Sequence, residues 1–172
     1  NEYISRLNSI LEDFPRTKES AESSFLLGET TLLKLRDFDN ALKYYAMVRS
    51  ESRVSLFIKS AQLRIKEINA YSKLKTEYAL WINNSPVDST SKSVKNSRKI
   101  NTTPKMLYGI AELEALHFNN SDSAMIYLDK LINLENNKEM MAKALYMKSF
   151  ILDKSQKYKE SKILKNQLIA NF

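Results

Sequence analysis

An internal repeat restricts the fold of this chain more than any other feature of its sequence. The triplet Leu-Gly-Glu at residues 27–29 returns as Ile-Ala-Glu at residues 110–112, 83 positions later. The same spacing aligns five further pairs, which are Leu35 with Phe118, Asp39 with Asp122, Ala41 with Ala124, Tyr44 with Tyr127 and Val48 with Leu131. Repetition at a fixed spacing is the signature of folds that stack one supersecondary unit on the next. We therefore expect two related halves.

A second match has a slightly larger spacing. Residues 56–60 (Leu-Phe-Ile-Lys-Ser) resemble residues 145–149 (Leu-Tyr-Met-Lys-Ser), 89 positions later, and Leu63 then aligns with Leu152. The six additional positions predict a longer loop around residues 133–139. The match predicts that the two segments occupy equivalent places in their repeats.

The local pattern within each repeat is helical. Apolar side chains recur at spacings of three and four, and the two glycines and three prolines of the chain are too few for a β-rich or nucleotide-binding α/β fold. Asp37 and Asn120 occupy equivalent N-cap positions, and Thr103 before Pro104 predicts another helix start. The expected helices lie near residues 1–13, 18–35, 38–49, 53–82, 104–117, 121–134, 138–153 and 156–171.

Residues 83–103 differ in composition from the rest of the chain. They are rich in Asn, Ser, Thr and Lys and have almost no apolar side chains, which predicts a flexible basic linker or loop. The sequence thus predicts an N-terminal half at residues 1–82 and a C-terminal half at residues 104–172. Because the chain begins at Asn1 rather than Met, we expect it to be part of a longer or processed protein.

The repeats resemble tetratricopeptide repeats, in which two antiparallel helices, A and B, pack through small residues at fixed places. The residues that carry the resemblance are Leu27 and Gly28 in helix A, Ala41, Tyr45 and Val48 in helix B, and, in the last repeat, Leu145, Ser149, Leu152, Tyr158, Ser161 and Leu168. The resemblance covers most of the chain. It implies an all-α fold, an α-solenoid of antiparallel helix pairs that coil into a superhelix.

The repeats of this chain are one residue longer than those of the family. The spacing from Gly28 to Ala41 shows this, and so does the spacing from Ala111 to Ala124. In this lengthened form the repeats are similar to those of bacterial cell-envelope proteins, including outer-membrane assembly lipoproteins and periplasmic repeat proteins. The resemblance implies a periplasmic or outer-membrane-associated member of a multiprotein complex, with the cytoplasm as the alternative. We expect membrane contact only through an N-terminal anchor outside these residues.

The sequence supplies few residues for catalysis. There is no cysteine, so thiol chemistry, disulfides and zinc–thiolate sites are excluded. His117 is the only histidine, and no glycine-rich phosphate loop is present. The neighbouring acids Asp37 and Asp39, and Glu112 and Glu114, have ordinary helix-cap or surface explanations. We therefore expect a non-enzymatic protein with no catalytic, metal-binding or cofactor-binding residue.

The family resemblance implies a partner-binding groove lined by helix A of each repeat. Carried over position by position, the groove residues are Phe25, Glu29, Leu32, Tyr108, Glu112, Tyr146, Phe150 and Asp153. The glutamates would repel a peptide carboxylate and favour a basic segment. The leading hypothesis is a scaffold or adaptor that holds an extended or helical segment of another protein.

Two alternatives follow from charge and from the repeats. The net charge is +7, and one basic surface is expected from Lys92, Lys95, Arg98, Lys99 and Lys105. With the lysine-rich last helix, it could bind an anionic surface or nucleic acid. No aromatic residues lie between these basic residues, which argues against nucleic acid. The other alternative is a structural array that stacks on itself through the faces of its terminal helices.

Overall fold

The computed structural model describes residues 2–83, 96–134 and 137–171, of which 96–102 by their backbone alone. These ranges contain helices and no strand, which confirms the all-α prediction. The helices are α1 (Glu2–Asp13), α2 (Lys18–Thr30), α3 (Phe38–Glu51), α4 (Ile58–Asn83), α5 (Asn96–Glu112), α6 (Ser121–Ile132), α7 (Lys138–Lys154) and α8 (Tyr158–Asn171). Five-residue π-helical segments, Thr31–Leu35 and Leu113–His117, extend α2 and α5.

The chain forms two compact units, Asn1–Ala70 (unit 1) and Tyr71–Phe172 (unit 2). Their boundary lies within α4. Of the predicted linker at residues 83–103, residues 84–95 lie outside the described residues. Successive helices pack against each other within the units, α1 on α2 and α2 on α3, and then α5 on α6, α6 on α7 and α7 on α8.

Helix α5 begins earlier than the sequence predicted. It starts at Asn96, so the last part of the expected linker is helical, and Pro104 lies inside the helix. The predicted helix start at Thr103 is therefore wrong. Only 1% of Thr103 is exposed, so this side chain packs in the core and does not cap an exposed helix end. A Thr-Pro pair therefore does not by itself distinguish a helix start from a helix interior. Inside the helix, the proline removes one backbone hydrogen bond.

The additional residue of each repeat coincides with a π-helical segment. In unit 1 the backbone N–H of Asp37 donates to the carbonyl oxygen of Thr31 at 3.1 Å. In unit 2 the N–H of Asn120 donates to the carbonyl of Glu114 at 2.8 Å, with the same span of six residues. A π turn holds one more residue than an α turn. The longer spacing between the small residues of helices A and B is thus accommodated at the end of helix A in both units.

The turns after these π segments are also equivalent. Arg36 has a φ of 58° and Asn119 a φ of 50°, so both lie in the left-handed region and reverse the chain. Asp37 and Asn120 then cap α3 and α6, each accepting a bond from the backbone N–H three residues later at 3.0 Å. The predicted N-caps are confirmed. Hydrogen bonds from Asn40 lower the pKa of the Asp37 carboxyl group, which keeps this cap ionised.

Two residues meet where helices A and B cross, and the two units combine different sizes at these positions. Unit 1 has Gly28 beneath the ring of Tyr45, which is 1% exposed. The positions 83 residues later hold Ala111 and Leu128, both fully buried. The smaller glycine accompanies the larger tyrosine, and the larger alanine accompanies the smaller leucine. Total volume at the crossing is therefore roughly conserved, as close packing requires.

Residues 56–60 and 145–149, the second sequence match, do not occupy equivalent places in the structure. Leu56 is 93% exposed and precedes the start of α4 at Ile58, whereas Leu145 is 2% exposed within α7. Leu63 and Leu152 differ in the same way, at 55% and 6% exposed. The two segments have similar sequences, but their matched residues point in different directions relative to the core. This prediction is wrong.

Candidate functional site

Unit 1 fills its predicted groove positions with its own side chains. The half-buried ring of Phe25 stacks on Phe57, with centroids 5.0 Å apart and planes inclined by 26°. Leu32 is 0% exposed, so its placement in a groove is wrong. Leu32 lies in the π segment, where the additional residue changes the angular position that the family resemblance implied.

Glu29 has several partners within unit 1. The guanidinium of Arg64 donates to its two carboxylate oxygens, from Nε at 2.7 Å and from Nη2 at 2.9 Å. The hydroxyl of Tyr45 donates to Oε1 at 2.7 Å. Arg64 also pairs with Glu67, whose side chain is 8% exposed, at 3.1 Å. The carboxylate of Glu29 is thus neutralised from within the chain, so it is not free to bind a basic partner.

The surroundings of Tyr45 and Arg64 determine their protonation states. Burial, followed by the hydrogen bond to Glu29, raises the pKa of the Tyr45 hydroxyl. Burial opposes the charge on Arg64, but the hydrogen bonds and charge of Glu29 outweigh it and raise the pKa of the guanidinium. Tyr45 therefore remains a donor and Arg64 a cation at any physiological pH.

Unit 2 carries four predicted groove residues on two neighbouring helices. Tyr108 and Glu112 are half-buried and lie one turn apart on α5. Tyr146 and Phe150 lie one turn apart on α7 and are 63% and 45% exposed. Helices α5 and α7 are neighbours. We refer to these four residues as the α5–α7 face.

The pKa of the Tyr108 hydroxyl responds to charges on both helices. Burial raises the pKa of the Tyr108 hydroxyl, the negative charge of Glu112 raises it further, and the charge of Lys143 on α7 partly opposes them. Lys143 lies three residues before Tyr146, so both occupy the same side of α7. Tyr146 therefore lies on the same side of α7 as Lys143, the residue whose charge acts on Tyr108 of α5.

Ion pairs lie at both ends of the aromatic pair on α7. Lys143 bonds Glu139 at 2.7 Å, and Lys165 of α8 bonds Asp153 at 2.5 Å. The bond from Lys165 lowers the pKa of the Asp153 carboxyl group. Asp153, a predicted groove residue, is therefore already paired with Lys165 of the neighbouring helix α8.

The predicted basic surface lies largely outside the described residues. This holds for Lys92 and Lys95, and for the side chains of Arg98 and Lys99. Lys105 is exposed on α5.

Sequence reasoning missed a buried carboxylate in unit 2. Glu114 is 1% exposed, which contradicts its assignment to a surface or cap. Its Oε1 accepts a bond from the Tyr71 hydroxyl at 2.5 Å and one from Ser123 Oγ at 3.1 Å. These bonds join the π segment to α4 and α6, so Glu114 has a structural role. The nearest sequence signal is the additional residue of the repeat, because the π segment that accommodates it places residue 114 where an α-helical register would not.

No group of three or more potential metal ligands occurs within the described ranges. The helices described here include none that is both long and apolar enough to span a bilayer. Comparisons of the chain with protein-family models, with curated proteins and with solved structures found no match.

Proposed function

We propose that the chain is a non-enzymatic interaction scaffold that holds a segment of another protein on the α5–α7 face. The observation that carries this proposal is the exposed pair Tyr146 and Phe150 beside half-buried Tyr108. One exposed aromatic ring is ordinary on a protein surface, but several on one face are typical of interaction sites. Aromatic side chains also contribute much of the binding energy in protein interfaces.

We also propose that the helix pairs are lengthened tetratricopeptide-like repeats of a solenoid. The support is the reuse of one helix–turn–helix design in both units, with equivalent π segments, left-handed turn residues and N-caps. Stacked repeats of this kind serve as binding surfaces and require no catalytic residues. A scaffold in a larger protein complex is consistent with this design.

Removing the two exposed rings tests the site. We expect Tyr146→Ala with Phe150→Ala to weaken the complex with the native partner at least thirtyfold, about 2 kcal/mol, because both rings lose buried contacts. Affinity capture from the native host identifies the partner, and calorimetry with the purified pair measures the loss. Ile163→Ala on α8 is the matched control, since Ile163 is 66% exposed and lies outside the α5–α7 face. Equal affinity for the double variant and the control would exclude this face.

Self-assembly is a second candidate because the two terminal helices carry complementary surfaces. Helix α8 exposes apolar side chains among lysines, namely Tyr158, Ile163 and Ile169 with Lys159 and Lys162. The first helix and the turn after it expose Tyr3 and Phe14 with the acids Glu12 and Asp13. Opposite charges around apolar groups suit a head-to-tail contact between two copies.

Charge reversal distinguishes this candidate from a monomeric adaptor. If the chain self-assembles, its mass by light scattering rises with concentration at low salt, and Lys159→Glu with Lys162→Glu raises the dissociation constant about tenfold or more. Glu12→Lys with Asp13→Lys should do the same. An equimolar mixture of the two variants should associate again, because the acidic α8 of one variant is complementary in charge to the basic α1 of the other. A constant monomer mass for the unaltered chain would dismiss self-assembly.

A further inference from the structure

Equivalent glutamates in the two units have different surroundings. Glu29 and Glu112 lie 83 residues apart, each one turn after an aromatic residue, Phe25 or Tyr108. We propose that Glu112 recognises an arginine side chain of the bound protein segment. This inference rests on the proposed scaffold function and names the specificity of the same face.

Unit 1 shows the arrangement that such recognition requires. Arg64 approaches Glu29 along the helix surface and donates two hydrogen bonds, at 2.7 and 2.9 Å, to the two carboxylate oxygens. Tyr45 supplies a third donor. A planar guanidinium matches a carboxylate in this two-bond geometry, which an ammonium group cannot reproduce.

The described residues of unit 2 include neither kind of donor at the equivalent place. Leu128 occupies the position of Tyr45, so the hydroxyl is absent. Helix α7, which lies beside α5, contains no arginine. Its Lys143 bonds Glu139, and its Lys148 bonds Asp129. Within the described ranges, no hydrogen bond or ion pair reaches the carboxylate of Glu112.

The carboxylate of Glu112 is half-buried and has no bonded partner among the described residues, which favours the binding of a cation. Partial burial removes some of the water that would stabilise the charge of Glu112, and a bound guanidinium replaces those interactions. Glu139 and Lys143 neutralise each other, and Lys105 acts on Glu139. Among the described residues, Glu112 is therefore the carboxylate of the α5–α7 face that has no ion-pair partner.

The aromatic residues of the face favour arginine over lysine. Tyr108 lies one turn from Glu112 on α5, and Tyr146 is 63% exposed on α7. A guanidinium stacks on aromatic rings while its edge donates to a carboxylate. The exposed ring of Phe150 can then contact apolar neighbours of the arginine in the partner segment.

Peptide selection on the whole 172-residue chain tests this specificity. Random peptides displayed on phage are selected on the unaltered chain, on Glu112→Gln and on Glu160→Gln, where Glu160 is an exposed glutamate of α8 and loses the same charge. We expect arginine enrichment on the unaltered chain and on Glu160→Gln, and its loss on Glu112→Gln. Thermal unfolding confirms that the glutamine variants are folded.

The best selected peptide is then tested with its arginine replaced by lysine or by neutral citrulline. Either change should weaken binding to the unaltered chain about tenfold or more, and should have less than a twofold effect on Glu112→Gln. Peptides that need Tyr146 and Phe150 but show no arginine preference would overturn this inference and leave the scaffold proposal standing. Failure to select any peptide that depends on those two rings would overturn both.

Discussion

Replacing Arg64 with methionine is expected to lower the free energy of unfolding of unit 1 by about 3 kcal/mol. The substitution removes the cation that lies between the carboxylates of Glu29 and Glu67, at 2.7 and 3.1 Å. Both side chains are less than a quarter exposed, at 22% and 8%. Water therefore compensates them only in part, and breaking a shielded ion pair costs more than the pair contributes in isolation.

The loss should be nearly independent of pH across the neutral range. The folded state raises the pKa of Arg64 above its ordinary value, which already lies well above the neutral range. A raised pKa gives stability that is fully present below the ordinary value and is lost only as pH rises through the folded value. Between pH 6 and pH 9 the contribution of this proton is therefore constant.

Urea denaturation of the variant and the unaltered chain at pH 6 and pH 9 measures this prediction. The control is Arg6→Met, because Arg6 forms an ion pair with Glu2 on the surface of α1, where both side chains are more than three-quarters exposed. Exposed pairs of this kind contribute only a few tenths of a kcal/mol. If the two variants lose the same small amount, the Arg64 network has no special role in stability.

The sequence predicted those features that depend on local spacing. Asp37 and Asn120 cap their helices as expected, because an N-cap needs only its own side chain and a backbone N–H three residues later. The 83-residue repeat identified equivalent positions, since both units use the same helix–turn–helix geometry. The one-residue excess over the family spacing was also visible in the sequence.

Features that depend on contacts between helices were not predictable in the same way. The excess residue could be counted, but its location in a π segment could not, so Leu32 and Glu114 were assigned to surfaces although both are buried. The pairing of Glu29 with Arg64 requires α4 to lie beside α2, which no local pattern shows. At the candidate site, Tyr146 and Phe150 are exposed, and their place in a groove stays a prediction. The structure distinguishes Glu112, whose carboxylate has no bonded partner among the described residues, from Glu29, which bonds Arg64 and Tyr45.

The packing of Gly28 under Tyr45 gives the second large effect. A Cβ atom on Gly28 would lie 2.7 Å from Cε1 of Tyr45, closer than real contacts allow. The ring cannot move away easily, because it is 1% exposed, bonds Glu29 and lies against Phe25. Overpacking costs about 1–3 kcal/mol, while alanine gains about 1 kcal/mol over glycine in a helix. The net cost lies between about 0 and 2 kcal/mol. Because the ring cannot move away easily, we expect Gly28→Ala to destabilise unit 1 by about 1–2 kcal/mol, the upper half of that range.

The other glycine of the chain supplies the control. A Cβ on Gly109 would meet only the terminal methyl groups of Leu74, at 3.1 and 4.0 Å, and these can shift by a small rotation. Gly109→Ala should thus be neutral or stabilise the protein by up to about 1 kcal/mol through helix propensity. Opposite signs for two identical substitutions would assign the effect to packing rather than to the backbone.

A double-mutant cycle then tests whether the two units use interchangeable pairs of residues. Tyr45→Leu alone should cost about 2–3 kcal/mol, because it opens a cavity and removes the bond to Glu29. Gly28→Ala with Tyr45→Leu recreates the Ala111 and Leu128 pair that unit 2 already contains. The added methyl group then occupies space that the ring has left, so the combined loss should be smaller than the sum of the single losses by at least about 1 kcal/mol. Strict additivity in urea denaturation would contradict this complementarity, since residues that compete for one volume cannot act independently.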